Sequence, residues 1–355
     1  MIDVSLLSEI CKTPAAPGFE QRLRAFVMNF VAPYVDELTT DAMGNVYALK
    51  KGTLSKAGKE SKRVMIAAHL DEISFIVTHI EDGGFLRIHT LGGFDPKTLT
   101  AQRVIIHGTK DIIGVMGSKP IHLMSAAERG KPLEIKDYFI DTGLTKEEVE
   151  AIVTVGTPVT RERELIEMGE CVNSKSLDNR LAVYILLETL RELKDTEVPY
   201  DVYGVFTVQE EVGIRGAQVA SHRIEPDFGF GVDVTIAFDV PGSQPHERVT
   251  SLGKGAAIKI MDSSAICDYR MVAFMKATAN KHGIAWQPEI LTGGGSDTAG
   301  IQLRGPGGTI TGAISIPCRH VHQSIEMSHK ADIRGSIELL KNCLMELDGY
   351  DWSFR

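Results

Sequence analysis

Four near-continuous apolar runs constrain the fold of this chain more than any other feature of its sequence. The runs are RVMIAAHL (63–70), DVYGVFTV (201–208), DFGFGVDV (227–234) and GAISIPC (312–318). Strands that are apolar on both faces are typical of a sheet covered by helices on both sides. The segment DNRLAVYILLETLREL (178–193) supplies one such helix, because its apolar residues recur at helical spacing. The sequence therefore predicts an α/β fold.

The stretch between residues 72 and 164 differs from the rest of the chain. Its pieces ISFIVTHI, GFLRIHT, QRVIIHG and IIGVMG are short and β-rich, with glycine turns between them. This pattern is typical of a small barrel or sandwich. We therefore expect a three-layer α/β domain around a central mixed sheet, formed by residues 1–71 and 165–355. A β-rich small-barrel domain is expected to be inserted into it at 72–164.

The composition excludes several classes of protein. The 355 residues are 43% hydrophobic and 24% charged, which is typical of a globular protein. The net charge is −9 and Lys and Arg are scattered, so we expect no nucleic-acid partner. No apolar run approaches the ~20 residues that cross a bilayer, and the N-terminus lacks the basic start of a secretory signal, so we expect no membrane association. The five cysteines are far apart, which favours a reducing, cytoplasmic setting over a disulfide framework.

Polar residues follow the buried runs where each run ends. In open α/β sheets, ligands bind at the carboxyl ends of the strands, so side chains delivered there are candidates for a functional site. The residues in question are His69, the pair Glu210 and Glu211, Asp233, and the two histidines of Arg319-His320-Val321-His322. Asp178 joins them as a candidate, because it opens the helix predicted over 178–193.

Each of these residues also has an ordinary structural explanation. Asp178 alone would be a helix N-cap, where carboxylates are favoured. His69 alone would be a core histidine, and the two glutamates before Gly213 would be a solvated turn. Asp233 is harder to explain in this way, because an unpaired charge in a buried strand is costly. The coincidence of all of them at one sheet edge favours a binding site.

Carboxylates and imidazoles without thiolates suit zinc, cobalt or manganese. A carboxylate shared between two ions would hold them close together, and two ions lower the pKa of a water molecule between them. A further carboxylate that binds no metal is then needed to move the proton of that water. One of the two adjacent glutamates, Glu210 and Glu211, suits that role.

The order of the short motifs along the chain resembles that of a known family. The motifs of the main domain are HLDE (69–72), LDNR (177–180), QEEVGIRGA (209–217), VD (232–233), GGSDTAG (294–300) and RHVHQSIE (319–326). With these motifs the chain is similar to the tetrahedral and glutamyl aminopeptidase family, which are dinuclear metallopeptidases of clan MH. The segments AQRVIIHG and GVMGSKPIHLMS also resemble the oligomerisation domain of that family.

The resemblance implies a ligand set for two divalent metal ions. In that set Asp178 bridges both ions, His69 and Asp233 complete one site, and Glu211 and His322 complete the other. Zinc or cobalt is the expected metal.

The resemblance also implies roles for residues that bind no metal. Glu210 would be the general base, which matches the proton-moving role required above. Asp71 would orient the imidazole of His69, because residues two apart lie on the same side of an extended chain. A cis peptide bond between Asp178 and Asn179 is implied as well.

The chain departs from the family at its last motif, where Arg-Tyr-Ile-His-Ser is usual and Arg319-His320-Val321-His322-Gln323 stands here. Two histidines two residues apart point the same way on a strand, so spacing alone does not choose between them. Register with the family motif favours His322, with His320 in the place of the tyrosine. Arg319 could position substrate, and Asp297 could be a helix cap or shape the substrate pocket. The remaining histidines of the insertion are expected to be structural or exposed: His79, His89, His107 and His122.

The function that these expectations favour is a metal-dependent aminopeptidase that removes N-terminal residues from peptides with metal-activated water. A deacylase or other amidohydrolase would use the same two-ion chemistry. A glycosidase of the endoglucanase type would use paired carboxylates alone, and a non-catalytic binding protein would not need a base at Glu210. From the resemblance we also expect homo-oligomers, with dimers formed through the β-rich insertion that assemble into a dodecamer.

Overall fold

The computed structural model describes residues 1–354. Its β-strands are β1 (Glu37–Thr40), β2 (Val46–Lys50), β3 (Arg63–His69), β4 (Ser74–Ile80), β5 (Leu86–Leu91), β6 (Arg103–His107), β7 (Asp111–Gly117), β8 (Phe139–Asp141), β9 (Pro158–Arg161), β10 (Ile166–Met168), β11 (Cys171–Ser174), β12 (Asp201–Thr207), β13 (Phe228–Ile236), β14 (Ala256–Met261), β15 (Trp286–Ile290), β16 (Ile310–Arg319) and β17 (Glu326–His329). Its α-helices are α1 (Val4–Lys12), α2 (Gln21–Val31), α3 (Thr53–Lys56), α4 (Ala126–Arg129), α5 (Lys146–Glu150), α6 (Leu177–Glu192), α7 (Arg215–Ile224), α8 (Tyr269–Lys281), α9 (Asp297–Arg304) and α10 (Lys330–Glu346). Across residues 1–354, no helix is long and apolar enough to cross a lipid bilayer.

The larger of the two sheets is mixed and contains eleven strands of the described chain. The order along its main path is β1-β2-β12-β3-β13-β16-β17-β11-β10, and β14 with β15 branches from β16. The central strands β12, β3, β13 and β16 run parallel, while β2 and β17 flank them in the antiparallel direction. The four apolar runs of the sequence are these four central strands. The predicted α/β fold with a central mixed sheet is confirmed.

Helices cover both faces of this sheet. Val64 and Ile66 of β3 belong to the main hydrophobic core, which they share with residues of α1, α2, α6, α8 and α10. Met65 and Ala67, which alternate with them, pack with residues of α7 and α9 in a second core. Because successive residues of a strand face opposite sides, β3 is buried between two helical layers. The three-layer arrangement is therefore as predicted.

Six strands close a separate antiparallel barrel in the order β4-β5-β8-β7-β6-β9. The barrel interior has its own apolar cluster, which includes Phe75, Val104, Met116, Ile140 and Val159. Because side chains of the barrel fill its interior, the barrel needs no contact with the main core to bury its apolar face. The small barrel predicted for the insertion is confirmed, while the domain boundaries at 72 and 164 stay a prediction.

The buried helix α6 begins irregularly at the carboxyl edge of the large sheet. Ser176, which precedes it, has a φ of 58°, and both Asp178 and Asn179 have non-helical dihedral angles. The peptide bond between Asp178 and Asn179 is cis, as the family resemblance implies. Asp178 therefore lies within the distorted first turn and is not the N-cap of the helix.

Candidate metal centre and active site

The parallel strands bring the candidate residues to one place. In the ladders of the sheet, Thr207 of β12 is paired with His69 of β3, and Asp233 of β13 is paired with Ser315 of β16. These pairings align the carboxyl ends of neighbouring strands. Six predicted site residues line a single cavity there, with a volume of about 710 Å³: His69, Asp178, Glu210, Glu211, Asp233 and His322.

A first group of metal-binding atoms is formed by His69, Asp178 and Asp233. The three residues are buried, and each offers one donor atom within 4.8 Å of the other two. The Nε2 atom of His69 lies 3.3 Å from Oδ1 of Asp178 and 3.8 Å from Oδ1 of Asp233. This spacing leaves room for one cation between an imidazole and two carboxylates.

A second group is formed by Asp178, Glu211 and His322. The Nε2 atom of His322 lies 3.3 Å from Oδ2 of Asp178 and 3.4 Å from Oε2 of Glu211. Asp178 thus takes part in both groups, with Oδ1 facing His69 and Oδ2 facing His322. The two groups are adjacent and share one carboxylate.

The electrostatics of the cavity are dominated by buried carboxylates. Burial raises the pKa of Asp233 to about 8, with a further contribution from the nearby Asp178. Burial likewise raises the pKa of Glu211 well above its ordinary value, and Asp178 adds to the effect. Burial alone would raise the pKa of Asp178 as well, but hydrogen bonds from His322 and His69 lower it overall. The protein supplies more negative charge here than its own cations balance.

The donor atoms fit divalent metal ions. Carboxylate oxygens and imidazole nitrogens without a thiolate are the ligands that zinc, cobalt and manganese accept. One carboxylate oxygen of Glu211, Oε1, is buried and has no hydrogen-bond partner. Buried polar atoms normally have a partner, so a free carboxylate oxygen beside a second carboxylate indicates a cation-binding position.

Glu210 lies beside both groups and belongs to neither. Its Oε2 atom is 3.9 Å from Nε2 of His69, and it lines the same cavity. Burial raises the pKa of Glu210 well above its ordinary value, although the nearby His69 opposes the shift. A carboxyl group with a raised pKa can accept and return a proton near neutral pH.

Two other carboxylates hold the chain that carries these glutamates. The strand β12 has already ended, and Gln209 has a φ of 56°, so strand alternation no longer separates the side chains. The carboxylate of Asp71 accepts hydrogen bonds from the backbone N–H groups of Glu210 and Glu211, at 3.0 Å each. The carboxylate of Glu20 accepts another from the N–H of Gln209, at 3.2 Å. This anchored turn lets two adjacent glutamates face one cavity.

Asp71 contacts His69 mainly through its main chain. The Nδ1 atom of His69 lies 3.1 Å from the backbone oxygen of Asp71 and 3.5 Å from its carboxylate Oδ1. The role of the Asp71 carboxylate in orienting His69 stays a prediction, and the carbonyl group of Asp71 makes the shorter contact. The hydrogen bonds of the carboxylate go to the backbone of the two glutamates.

Comparison with known proteins decides the family of this chain. The model of the M42 glutamyl aminopeptidase family matches residues 44–339. The chain belongs to the M42 glutamyl aminopeptidase family. The lysyl aminopeptidase of Pyrococcus furiosus is 33% identical over 99% of this chain and 100% of its own length. The solved structure of an aminopeptidase from the archaeon Desulfurococcus kamchatkensis is 37% identical with a TM-score of 0.91, covering 97% of this chain and 94% of that chain. The predicted family and the predicted metal-dependent aminopeptidase are confirmed.

Structures similar to this M42 chain include large assemblies. The TET1 peptidase of Pyrococcus horikoshii, which can assemble into a tetrahedron or a large octahedral shell, is 29% identical with a TM-score of 0.86. The match covers 97% of this chain and 99% of that one. Another similar structure is a dodecamer. Homo-oligomers are therefore found among proteins that share this fold over nearly its whole length.

The M42 chain brings only one of its two neighbouring histidines into the cavity. The strand β16 ends at Arg319, and both His320 and His322 have positive φ values of 64° and 62°. The expectation that the two histidines point the same way on a strand is therefore wrong, because the chain has left the strand before either of them. His322 lines the cavity, and His320 is exposed outside it.

Two further residues singled out in the sequence lie outside the cavity of the M42 chain. Arg319 forms a bidentate ion pair with Asp239, at 2.7 and 2.8 Å, and this pair occupies its guanidinium group. Asp297 begins α9, but the N-cap of that helix is Ser296. One oxygen of Asp297 accepts a hydrogen bond from the Thr207 hydroxyl, and its other oxygen is buried without a partner.

The histidines of the barrel are structural or exposed, in keeping with the prediction. His107 bonds to Asp111 at 3.0 Å and to the Thr160 hydroxyl at 2.9 Å. His79, His89 and His122 are exposed.

Sequence reasoning missed the buried carboxylates that support the M42 site. Glu20 was not singled out, although it anchors Gln209. Glu326 was quoted only as part of a motif, yet its Oε2 atom accepts the backbone N–H of Asp178 at 2.8 Å. The sequence signal for both residues is a glutamate in an otherwise buried segment. This signal does not indicate which group the glutamate contacts.

Proposed function

We propose that the cavity is an aminopeptidase active site in which Asp178 would contribute a ligand to each of two divalent-ion sites. In this proposal His69 and Asp233 complete one metal site, and Glu211 and His322 complete the other. The single observation that supports it best is that the two oxygens of Asp178 face separate histidines, each with its own further carboxylate.

The proposed reaction divides the work between the ions and Glu210. When bound, two divalent ions polarise the scissile carbonyl and make a water molecule more acidic. The carboxylate of Glu210 removes a proton from the attacking water and delivers it to the nitrogen of the leaving amine. The position of Glu210 outside both donor groups leaves its oxygens available for this transfer.

The acidic wall of the cavity favours a substrate with a free α-amino group. Carboxylates of the site attract the positive amine, and they would repel the carboxyl end of a peptide. This preference restricts cleavage to the N-terminal bond. We therefore propose short peptides with a free N-terminus as the substrate class.

The choice between an aminopeptidase and a deacylase is tested with blocked and free substrates. We expect hydrolysis of aminoacyl anilides with a free amine, and little hydrolysis of their N-acetylated forms. Preference for the acetylated compounds would make the protein a deacylase. A glycosidase is not favoured, because the two histidines of the cavity have no role in hydrolysis by paired carboxylates.

We propose zinc or cobalt as the native metal, on the basis of the oxygen and nitrogen donors described above. The test is elemental analysis of the purified protein, followed by chelation and addition of single metals. We expect about two equivalents per subunit at full activity. A protein that reaches full activity with one equivalent would contradict the two-ion proposal.

We propose that the barrel segment 72–164 is a dimerisation domain and that the dimers assemble into a dodecamer. The similar assemblies noted above support this. Native mass spectrometry tests it, with twelve copies as the expected mass and a stable monomer as the contradicting one. A cytoplasmic location is part of the same proposal, supported by five cysteines that form no disulfide.

A further inference from the structure

The cavity has apolar lining residues that take no part in the proposed chemistry. They include Ile214, Ile236, Leu291 and Val321, which line the same cavity as the two donor groups. The glycines at 293–295 line it as well and add no side chain. We call these four side chains with the glycines the apolar wall. Covering such an apolar surface with another apolar group is favourable, because both surfaces are removed from water.

The charged side chains of the cavity all belong to the reaction centre. No Lys or Arg lines it in the described chain. Its acidic side chains are Asp178, Glu211 and Asp233, which belong to the donor groups, and Glu210. A negatively charged substrate side chain would thus meet no cation of the protein, and a positively charged one would meet no carboxylate outside the reaction centre.

The neutral polar side chains of the lining do not change this. Thr235 lies two residues after Asp233 on β13, so it faces the same side of the strand. Its hydroxyl is buried and has no hydrogen-bond partner. A hydroxyl group can bond to a substrate, but it does not neutralise a full charge.

The apolar wall is held in place by close packing at Ile214. This residue has a φ of 55°, which is rare for a β-branched side chain and is kept only where the surroundings fix it. A Cβ atom added to Gly295 would lie 3.4 Å from Cδ1 of Ile214, and one added to Gly300 would lie 3.1 Å from its Cγ2. The side chain of Ile214 is therefore wedged between two backbone segments. A wall that is fixed in advance selects by shape and polarity.

We propose that the apolar wall binds the side chain of the N-terminal residue of the substrate and selects uncharged apolar residues such as leucine and methionine. The proposal rests on the aminopeptidase function of the adjacent donor groups. The relative and the family described above have the words lysyl and glutamyl in their names. The apolar wall, by contrast, has no charged side chain that would select lysine or glutamate.

The first test is a panel of aminoacyl anilides assayed with the metal-loaded protein. We expect kcat/KM for the leucine and methionine compounds to exceed that for lysine and glutamate by at least about tenfold. Alanine should also fall below leucine, because a shorter side chain leaves the wall uncovered. A lysine or glutamate compound as the best substrate would overturn the wall proposal and leave the aminopeptidase intact.

A charge placed in the wall should change the preference. We expect Ile236→Glu to raise the ratio of kcat/KM for lysine over leucine by at least about tenfold. The matched control is Ile290→Glu, because Ile290 is also an exposed isoleucine at the end of a strand but does not line the cavity. Its ratio should stay at the wild-type value. Equal ratios in the two variants would overturn the assignment of the wall.

Binding of free amino acids separates the wall from catalysis. Isothermal titration of the metal-loaded protein should show L-leucine binding at least about tenfold tighter than L-lysine or L-glutamate. If no anilide is cleaved, the aminopeptidase proposal fails, and this titration alone decides the wall. The absence of any preference for L-leucine, including the absence of binding, would overturn it.

Discussion

Two clusters of buried charge draw on neighbouring residues at 69–72 and 175–180 and are balanced in different ways. The paired cluster consists of Glu72, Lys175 and Arg180. The Nζ atom of Lys175 lies 2.8 and 2.7 Å from the two carboxylate oxygens of Glu72, and Nη2 of Arg180 lies 3.0 Å from one of them. Burial alone would raise the pKa of Glu72, but the two cations lower it to about 2. The paired cluster is complete within the protein.

The acidic cluster contains the carboxylates of Asp178, Glu210, Glu211 and Asp233, together with the imidazoles of His69 and His322. The pKa values of three of these carboxyls are raised where that of Glu72 is lowered. Burial of carboxylates therefore does not by itself indicate a metal site. A metal site is indicated where buried carboxylates outnumber the nearby cationic groups, as they do in the acidic cluster. In the paired cluster, Glu72 already has two cationic partners.

Removal of metal should have the largest effect, because only the acidic cluster depends on ions from outside the chain. We expect exhaustive chelation to abolish peptide hydrolysis and addition of zinc or cobalt to restore it. The same treatment should lower the melting temperature, since ligands that bind only the folded state stabilise it. Full activity in the chelated protein would refute the metal assignment.

Breaking the paired cluster should instead cost stability with or without metal. We expect Glu72→Ala to lower the free energy of unfolding by about 3–5 kcal/mol, because Lys175 and Arg180 are left buried and unpaired. The control is Glu37→Ala, which removes an exposed ion pair with Lys51 and should cost at most about 1 kcal/mol. Urea unfolding of both variants measures the difference. Similar losses in the two would show that the paired cluster contributes no more than a surface pair.

Removing one carboxylate from the acidic cluster should stabilise the metal-free protein, whereas breaking the paired cluster should destabilise the protein. We expect Asp233→Asn to stabilise the chelated protein by roughly 1–4 kcal/mol near neutral pH, because the buried carboxyl of Asp233 must take up a proton when the chain folds, whereas the amide need not. The folded pKa of Asp233 is raised from 3.8 to about 8, so its carboxyl destabilises the fold progressively as pH rises between those values. The advantage of the variant should be absent near pH 4 and complete near pH 8. A chelated variant that is less stable than the wild type at pH 7 would contradict this.

The anchor of the glutamate turn should give the smallest effect. We expect Glu20→Ala to cost about 1–3 kcal/mol, because the N–H groups of Gly18 and Gln209 lose their acceptor. We also expect kcat to fall up to about 100-fold with metal content unchanged, because the turn that carries Glu210 loses one of its two anchors. Glu20→Gln keeps an acceptor oxygen and should recover much of the rate. Equal rates in the alanine variant and the wild type would show that the turn does not need this anchor.

Much of the fold is predictable from the sequence because the central strands are near-continuous apolar runs. The run 63–70 is apolar except for Arg63 and His69, and it forms β3 in the middle of the sheet. The helices α7, α9 and α10 were not predicted, and each is less apolar overall than the buried helix α6. Tertiary packing against the sheet stabilises such helices beyond what local sequence indicates.

The metal-binding candidates were predictable because they end strands whose carboxyl edges meet. Their supporting residues were not, since each bonds to a partner far away in the sequence. Glu72 meets Lys175, and Glu326 meets the backbone of Asp178. The turn after β16 was also beyond reach, because nothing in the sequence shows that the strand ends before His320.

The central claim is that Glu211 binds a metal ion whereas its neighbour Glu210 moves a proton. The most direct measurement is the metal content and turnover of Glu210→Gln and Glu211→Gln, prepared side by side. We expect Glu210→Gln to keep the full metal content of the wild type and to lose about 100-fold or more in kcat. Glu211→Gln should lose metal from one of the two sites. Wild-type turnover in Glu210→Gln, or loss of metal from that variant, would contradict the division of roles between the two glutamates.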